Sequence, residues 1–354
     1  MNPALDTVRA LPLVALLLTT LTGSALARGS PAAYLDRPAD WYRSDGAARV
    51  AAHVLSHQAP SGAWPKNVDT TAAPYTGSPR DLHGTFDNGA TTDELRLLAR
   101  MVQATGEPRY QAAFLKGFDH ILQAQYPTGG WPQSFPPGPK YHRHITFNDG
   151  SMVRLMEFLR EAASAARYAF LDAPRRRAAR EAFDRGVRGI LRCQVVVDGR
   201  PTAWCAQHDE KDYSPRPGRS YELVSLSGAE TVGIVRLLMS LEEPAPEVIR
   251  AIEGAVAWFR AARLDGLRVE TRDDPRAPKG KDRVVVKDPA AGPLWARFHE
   301  IGTNRPIFCD RDGVAKYDLA AIGHERRNGY AWLGAWPRDL LAKDYPAWKK
   351  KLAH

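Results

Sequence analysis

The chain is poor in sulfur: of 354 residues, 3 are cysteine and 5 methionine. Three scattered thiols (Cys193, Cys205 and Cys309) provide neither a thiolate metal cage nor a disulfide scaffold. After the N-terminus no apolar stretch is long enough to span a bilayer. There is no P-loop, no Gly-x-Gly-x-x-Gly fingerprint and no Gly-x-Ser-x-Gly elbow. His57, His83, His142, His144 and His208 lack zinc-ligand spacing such as His-Glu-x-x-His. Nucleotide, serine-nucleophile and zincin chemistry therefore have no sequence support.

The single long apolar run is N-terminal. Arg9 precedes Ala10 to Leu21, and Ala25-Leu26-Ala27 follows. A charged start, an apolar centre and a small-x-small site read as a secretory signal over residues 1–27, cut after Ala27. A buried or anchoring N-terminal helix is the alternative. The mature chain, 28–354, is then expected in the periplasm or outside the cell, free of membrane and monomeric. Export also permits a disulfide, and Cys193 and Cys205 are candidates to pair. The balance of 49 Lys and Arg against 40 Asp and Glu gives a formal charge of +9. For an exported protein this fits a polyanionic polysaccharide or an anionic cell surface rather than nucleic acid; a merely solvated basic surface is the plain alternative.

What the chain does have is repetition. His57-Gln58-Ala59-Pro60-Ser61-Gly62-Ala63-Trp64-Pro65 returns as Ala124-Gln125-Tyr126-Pro127-Thr128-Gly129-Gly130-Trp131-Pro132, 67 residues later. A looser copy runs from Cys193-Gln194 through Gly199 to Trp204. An amphipathic pattern precedes each phrase: Phe114, Phe118, Ile121, Leu122 and Gln125 match Phe183, Val187, Ile190, Leu191 and Gln194. After each Trp a long loop leads to a second helix, expected to start near Ala90, Ser151 and Glu222, with Thr91-x-x-Glu94 as a capping box. Repeated helical hairpins of this period predict a mainly α chain, an irregular α/α toroid over about 40–262. A straight solenoid is the alternative. From about 263 to 354 the texture changes to short strands (Leu267 to Thr271, Arg283 to Val286), turn-rich loops and a last helix over Trp336 to Lys350.

Phe86-Asp87-Asn88-Gly89 and Phe147-Asn148-Asp149-Gly150 each precede a second-position helix, and Arg219-Ser220-Tyr221-Glu222 is expected at the third such point. In a toroid these starts share one face. The aspartates read either as helix N-caps or as hard oxygen ligands suited to Ca²⁺. Arg297 and Arg311 stand in turn-rich phrases, where arginine forks suit carboxylates. Trp64, Trp131, Trp204, Trp295 and Trp332 are candidate sugar platforms, of which one or two are expected to serve.

These phrases, together with Gly62-Ala63-Trp64-Pro65-Lys66-Asn67, Trp204-Cys205-Ala206-Gln207-His208-Asp209, Trp295-Ala296-Arg297-Phe298 and Asp310-Arg311-Asp312-Gly313, resemble the family 10 pectate lyases, in order from about 40 to 340. Ala63 and His299 depart from the family pattern. The resemblance implies Ca²⁺-dependent β-elimination on polygalacturonate. It implies Arg311 as base, Asp87 and Asp149 as metal ligands, and Arg219 and Arg297 as clamps for substrate carboxylates, with Lys66, Asn88 and Asn148 as further binding residues. Two other classes compete: a glycoside hydrolase using Asp87 and Asp149 as its two carboxylates, and a uronan-binding protein without catalysis.

Overall fold

The computed structural model describes residues 30–352, so the proposed signal segment lies outside the described residues. Seven longer helices form the body: α1 (Asp45–Ser56), α2 (Thr92–Thr105), α3 (Pro108–Gln123), α4 (Ser151–Ser164), α5 (Ala173–Cys193), α6 (Glu230–Met239) and α7 (Pro246–Ala261). α2 pairs with α3, α4 with α5 and α6 with α7. α2, α4 and α6 also touch in succession, as do α3, α5 and α7. Two concentric layers result, an irregular α/α toroid.

Sequence decides which helix lies where. α4 buries Met152, Val153, Leu155, Met156, Phe158 and Leu159, residues spread around most of its circumference. α5 is arginine-rich and buries only a stripe that includes Ala179, Ala182, Phe183 and Ile190. A helix apolar on most sides must sit inside, and one with a single apolar stripe sits outside.

The repeated Gln and Trp fasten the layers. The indole N–H of Trp64 donates to the Val54 carbonyl at 2.7 Å, that of Trp131 to Ile121 at 2.9 Å, and that of Trp204 to Ile190 at 2.7 Å. A fourth copy exists: Trp295 donates to Phe259 at 2.7 Å. The hairpin Leu267–Asp273/Lys281–Lys287 lies between that helix end and its Trp, which hides the copy from a search by period. Gln58 Nε2 donates to the carbonyls of Gly62 and Ala113, Gln125 to those of Gly129 and Ala182, and Gln194 to those of Thr202 and Ala251, all at 2.8–2.9 Å. Each amide thus ties its own loop to the next outer helix. Gly129 is needed there: its φ is +94°, and a Cβ would meet the Arg185 carbonyl oxygen at 2.2 Å.

Several expectations are corrected. The third inner helix starts at Glu230, not near Glu222. All three cysteines are free and buried, so no Cys193–Cys205 bridge forms. Trp64, Trp131, Trp204, Trp295 and Trp332 are at most 1% exposed, so none offers a face to sugar; their size is spent on the core. Thr91 does not cap α2 with its side chain. Its hydroxyl instead accepts from Trp64 N at 2.9 Å and donates to Thr85 O at 2.8 Å. The two expected strands do form a hairpin. The last helix is shorter than expected: a π turn, Leu340–Asp344, leads into Tyr345–Leu352. Around Tyr221, Phe298, Phe308 and Trp332 the C-terminal segment builds a satellite core against the toroid.

Gln125→Ala strips two loop-to-helix bonds and leaves both carbonyls to find new partners. The variant should lose about 2–3 kcal/mol of stability in chemical denaturation, and an unchanged midpoint would show that the staple is decorative. A second test concerns Glu94, buried in α2. Its Oε1 accepts from Thr70 at 3.0 Å, and its Oε2 has no partner among the described residues. Burial pushes its pKa up from 4.5 to about 8. Between those values the folded chain holds a proton that the unfolded chain has released, so this residue makes stability fall as pH rises. Glu94→Gln should therefore be more stable than wild type at pH 8 and match it near pH 4, as read by Tm at both values.

Candidate active site

Backbone bonds between successive units define the site. The amides of Thr85, Thr146 and Ser227 donate to the carbonyls of Trp64, Trp131 and Trp204. The next amides, of Phe86, Phe147 and Gly228, donate to Gln133, Ala206 and Arg297. Each of those acceptors lies two residues past a repeat Trp. By this register Asn88, Asp149 and Glu230 are equivalent positions, all opening onto the start of an inner helix. The Asp87–Gly89 and Asn148–Gly150 turns pack against each other. Asn88 (φ 55°) and Asp149 (φ 50°) both hold left-handed backbone, which Asn and Asp tolerate better than most residues.

Asp87 is 2% exposed. Its Oδ2 accepts from Lys66 Nζ, and from Gln133 Nε2 at 2.6 Å, while its Oδ1 is buried without a partner among the described residues. Asn88 Nδ2 lies 3.4 Å from Asn67 Oδ1. Asp149 accepts from Asn148 Nδ2 at 2.7 Å and from Arg297 Nη2 at 2.8 Å. Burial works to raise the Asp149 pKa, but the Arg297 charge, the hydrogen bonds from Arg297 and Asn148 and the Arg219 charge together outweigh it, and the net shift is downward. Arg297 also donates to Glu230, which is almost fully buried. Burial works against the Arg297 charge, yet Glu230, Tyr330 and Asp149 together hold its pKa above the usual range. Neither aspartate is a helix cap: α2 and α4 have Thr91 and Gly150 at those positions.

Arg219 continues the arrangement outward. Its guanidinium lies over the rings of Tyr221 (5.0 Å) and Tyr330 (5.7 Å), and Tyr330 also faces Arg297 at 5.0 Å. Glu222 accepts from Arg219 and, at 2.8 Å, from the Tyr330 hydroxyl. Burial pulls the Arg219 pKa down, and the bond and charge of Glu222 more than reverse this. Arg311 stands further out, 66% exposed, over Tyr221 at 5.8 Å. Glu325 grips it through two bonds, at 3.0 and 3.2 Å. The Glu325 carboxyl is lowered to about 2 by its hydrogen bonds from Arg326 and Arg311.

Two cavities flank the centre. One, of about 750 Å³, is bordered by Lys140, Tyr141, Arg143, Arg219 and Arg311. The other, of about 490 Å³, is bordered by Lys66, Tyr75, His83, Gln133 and His142. All eight residues singled out from the sequence belong to this region. Lys66, Asn88 and Asp87 group on one turn, Asn148, Asp149 and Arg297 on the other, and Arg219 and Arg311 extend along Tyr330 and Tyr221. Sequence reading missed Gln133, Glu222, Glu230 and Tyr330. The first could have been found as the Trp-plus-two position shared with Lys66 and Arg297; the others depend on loop paths.

Two oxygen sets merit testing as cation sites. The Asp87 and Asp149 turns offer carboxylate and amide oxygens, hard donors suited to Ca²⁺, and the unpartnered Asp87 Oδ1 is a buried acceptor still to be satisfied. His144, Asp209 and Glu210 place ligand atoms within 4.8 Å of one another. There, however, Asp209 is bound by Arg216 and two backbone amides, and Glu210 by Arg143 and His144. That cluster is already neutralised.

A helical toroid with acid-amide turns and arginines gathered between two cavities is the arrangement of a polysaccharide lyase, the class to which the solved relatives below belong. The pectic acid lyase family model matches residues 58–341, and the chain belongs to that family. Among solved structures, the family 10 polysaccharide lyase from Cellvibrio cellulosa is 35% identical, with a TM-score of 0.76, over 90% of this chain and 96% of that one. A mutant of that lyase in complex with trigalacturonic acid is 34% identical, with a TM-score of 0.76, over 87% and 97% of the two chains. No protein with a curated description matches. The hydrolase and binding-only alternatives are set aside.

Arg297 is the shared counter-ion of two carboxylates. Arg297→Met leaves Glu230 buried and unpaired and should cost about 3–5 kcal/mol. Adding Glu230→Gln should recover most of that stability but no lyase activity. Recovery of both in the double variant would make Arg297 structural only.

Proposed function

We propose that the protein is a secreted or periplasmic pectate lyase that cleaves α-1,4-polygalacturonate by Ca²⁺-dependent β-elimination. One observation carries the reading: two oxygen-rich turns and a ladder of arginines meet between two flanking cavities. The complex of the Cellvibrio lyase with trigalacturonic acid supports the substrate class. Asp87 and Asp149 are the residues to hold Ca²⁺, with Asn88 and Asn148 beside them. When bound, the cation supplies positive charge next to a substrate carboxylate and makes the α-proton easier to remove.

Arg297, fixed by Asp149 and Glu230, is aimed for a uronate carboxylate, and Lys66 balances Asp87. The C5 proton must go to a base beside that carboxylate; the C4 oxygen then leaves and a 4,5-unsaturated sugar remains. Sequence reading gave the base's role to Arg311. Arg219 has the stronger geometric case. Tyr330 links it directly to Arg297, and its charge is felt at Asp149. It also lies half-buried beside this centre, whereas Arg311 is a solvated surface group. Arg311 fits a carboxylate contact one sugar along. Because Glu222 opposes deprotonation of Arg219, the neutral fraction is small and rates should climb into the alkaline range.

The test is ultraviolet absorbance from unsaturated ends released from polygalacturonate. Wild type should produce it, and a calcium chelator should abolish it. Arg219→Lys should lose about 10²-fold or more in kcat with little change in KM. Arg311→Lys should chiefly raise KM. The opposite pattern returns the base to Arg311, and saturated ends from wild type would end the elimination reading.

A further inference from the structure

The inner helices have two ends, and only one is occupied by the active site. At the other end of α2 lies a cavity of about 690 Å³, within the range of small-molecule and oligomer sites. Arg100 and Gln103 from the last turns of α2, Arg167 from the segment after α4, and Arg37, Tyr42 and Arg43 from the N-terminal turns line it. Asp36 is the one acidic residue in its wall. α2 has 14 residues, so the two sites lie roughly 20 Å apart along its axis.

The charges here are unspent. Arg37, Arg100 and Arg167 form no ion pair among the described residues, and Arg43 has only the exposed Asp40 at 3.5 Å. Some arginines elsewhere on this chain are bound by carboxylates, such as Arg96 by Glu161, Arg175 by Asp119 and Arg327 by Asp282; what sets this cleft apart is that several unpaired ones share one cavity. Arg100 is half-buried and its Nη1 donates to the Arg96 carbonyl at 3.0 Å. Burial, and then the charge of Arg167, lower its pKa. Arg37 rests over the rings of Tyr34 and Trp41, 5.8 Å from each centroid. Arg37 and Arg43 are exposed, whereas Arg100 and Arg167 are half-buried, and half-buried like charges without counter-ions are costly unless an anion completes them.

We infer that this basic cleft is a second, non-catalytic site for an acidic polysaccharide segment, holding the polymer while its chain is cut at the opposite end of the toroid. Several separated guanidinium groups over this volume suit a chain with a carboxylate on every sugar better than one small anion. The inference rests on the polygalacturonate reading. Its mechanism is effective concentration: a long chain engages both sites, whereas a trimer fills only one.

The experiment compares wild type with Arg37→Glu/Arg167→Glu, and separately with Arg100→Gln, on polygalacturonate and on trigalacturonate, with Tm recorded for each. The expected result is a KM on polymer raised about fivefold or more at low salt, fading at high salt, with trimer kinetics unchanged. Retardation of the double variant in polygalacturonate-containing gels should fall in parallel. Equal kinetics on both substrates, or equal losses on both, overturns the second site. Failure of wild type on trimer and polymer alike would instead overturn the underlying reading of function.

Discussion

The structure depends on one repeated fastening: an indole N–H capping the end of an outer helix, with a glutamine amide bridging two carbonyls. Helix C-termini leave carbonyls without intrahelical donors. Here each such end must also turn inward through a loop toward the centre of the molecule. Trp64, Trp131, Trp204 and Trp295 supply the donor, and burying each ring adds a large apolar contact in the same place. Since each Gln also reaches the next outer helix, the units are placed relative to one another and not only closed on themselves.

The active site is a consequence of that placement. The residue two past Trp131, Trp204 and Trp295 presents its carbonyl to the neighbouring turn, and Lys66 holds the same place after Trp64, so these side chains emerge beside the turns. Lys66 and Gln133 thereby reach Asp87, and Arg297 reaches Asp149 and Glu230. Paired charges of this kind are not placed to maximise stability, since desolvating them costs as much as their attraction returns. They are better understood as a pre-set charge pattern for a charged sugar, in which carboxylates, amides and guanidinium groups are already oriented before substrate arrives.

Electrostatics differ sharply between the two ends of the inner helices. At the active face nearly every arginine is matched: Arg219 with Glu222, Arg297 with Asp149 and Glu230, Arg311 with Glu325. At the far end Arg37, Arg100 and Arg167 have no ion-pair partner among the described residues. Net charge alone, +9 over the chain, could not reveal that division.

The sequence by itself determined the helical hairpins, their period and the acid-amide turns, because these are local: a 3.6-residue apolar pattern and a turn phrase need no partner to be legible. It also determined the family, through the order of short phrases. Tertiary structure alone decided what depends on distant chain segments meeting. The fourth Trp was hidden because a hairpin intervenes between it and its helix. Glu230 was hidden because the third loop is longer than the second, which moved the equivalent of Asp149 past Glu222. The tryptophans were read as sugar platforms because residue type cannot distinguish a buried ring from an exposed one. Whether Cys193 and Cys205 pair stayed open for a similar reason: closeness in sequence says nothing of how two thiols are oriented, and both are free. The order of the arginines along Tyr330 and Tyr221 likewise exists only once the C-terminal segment has packed back onto the toroid.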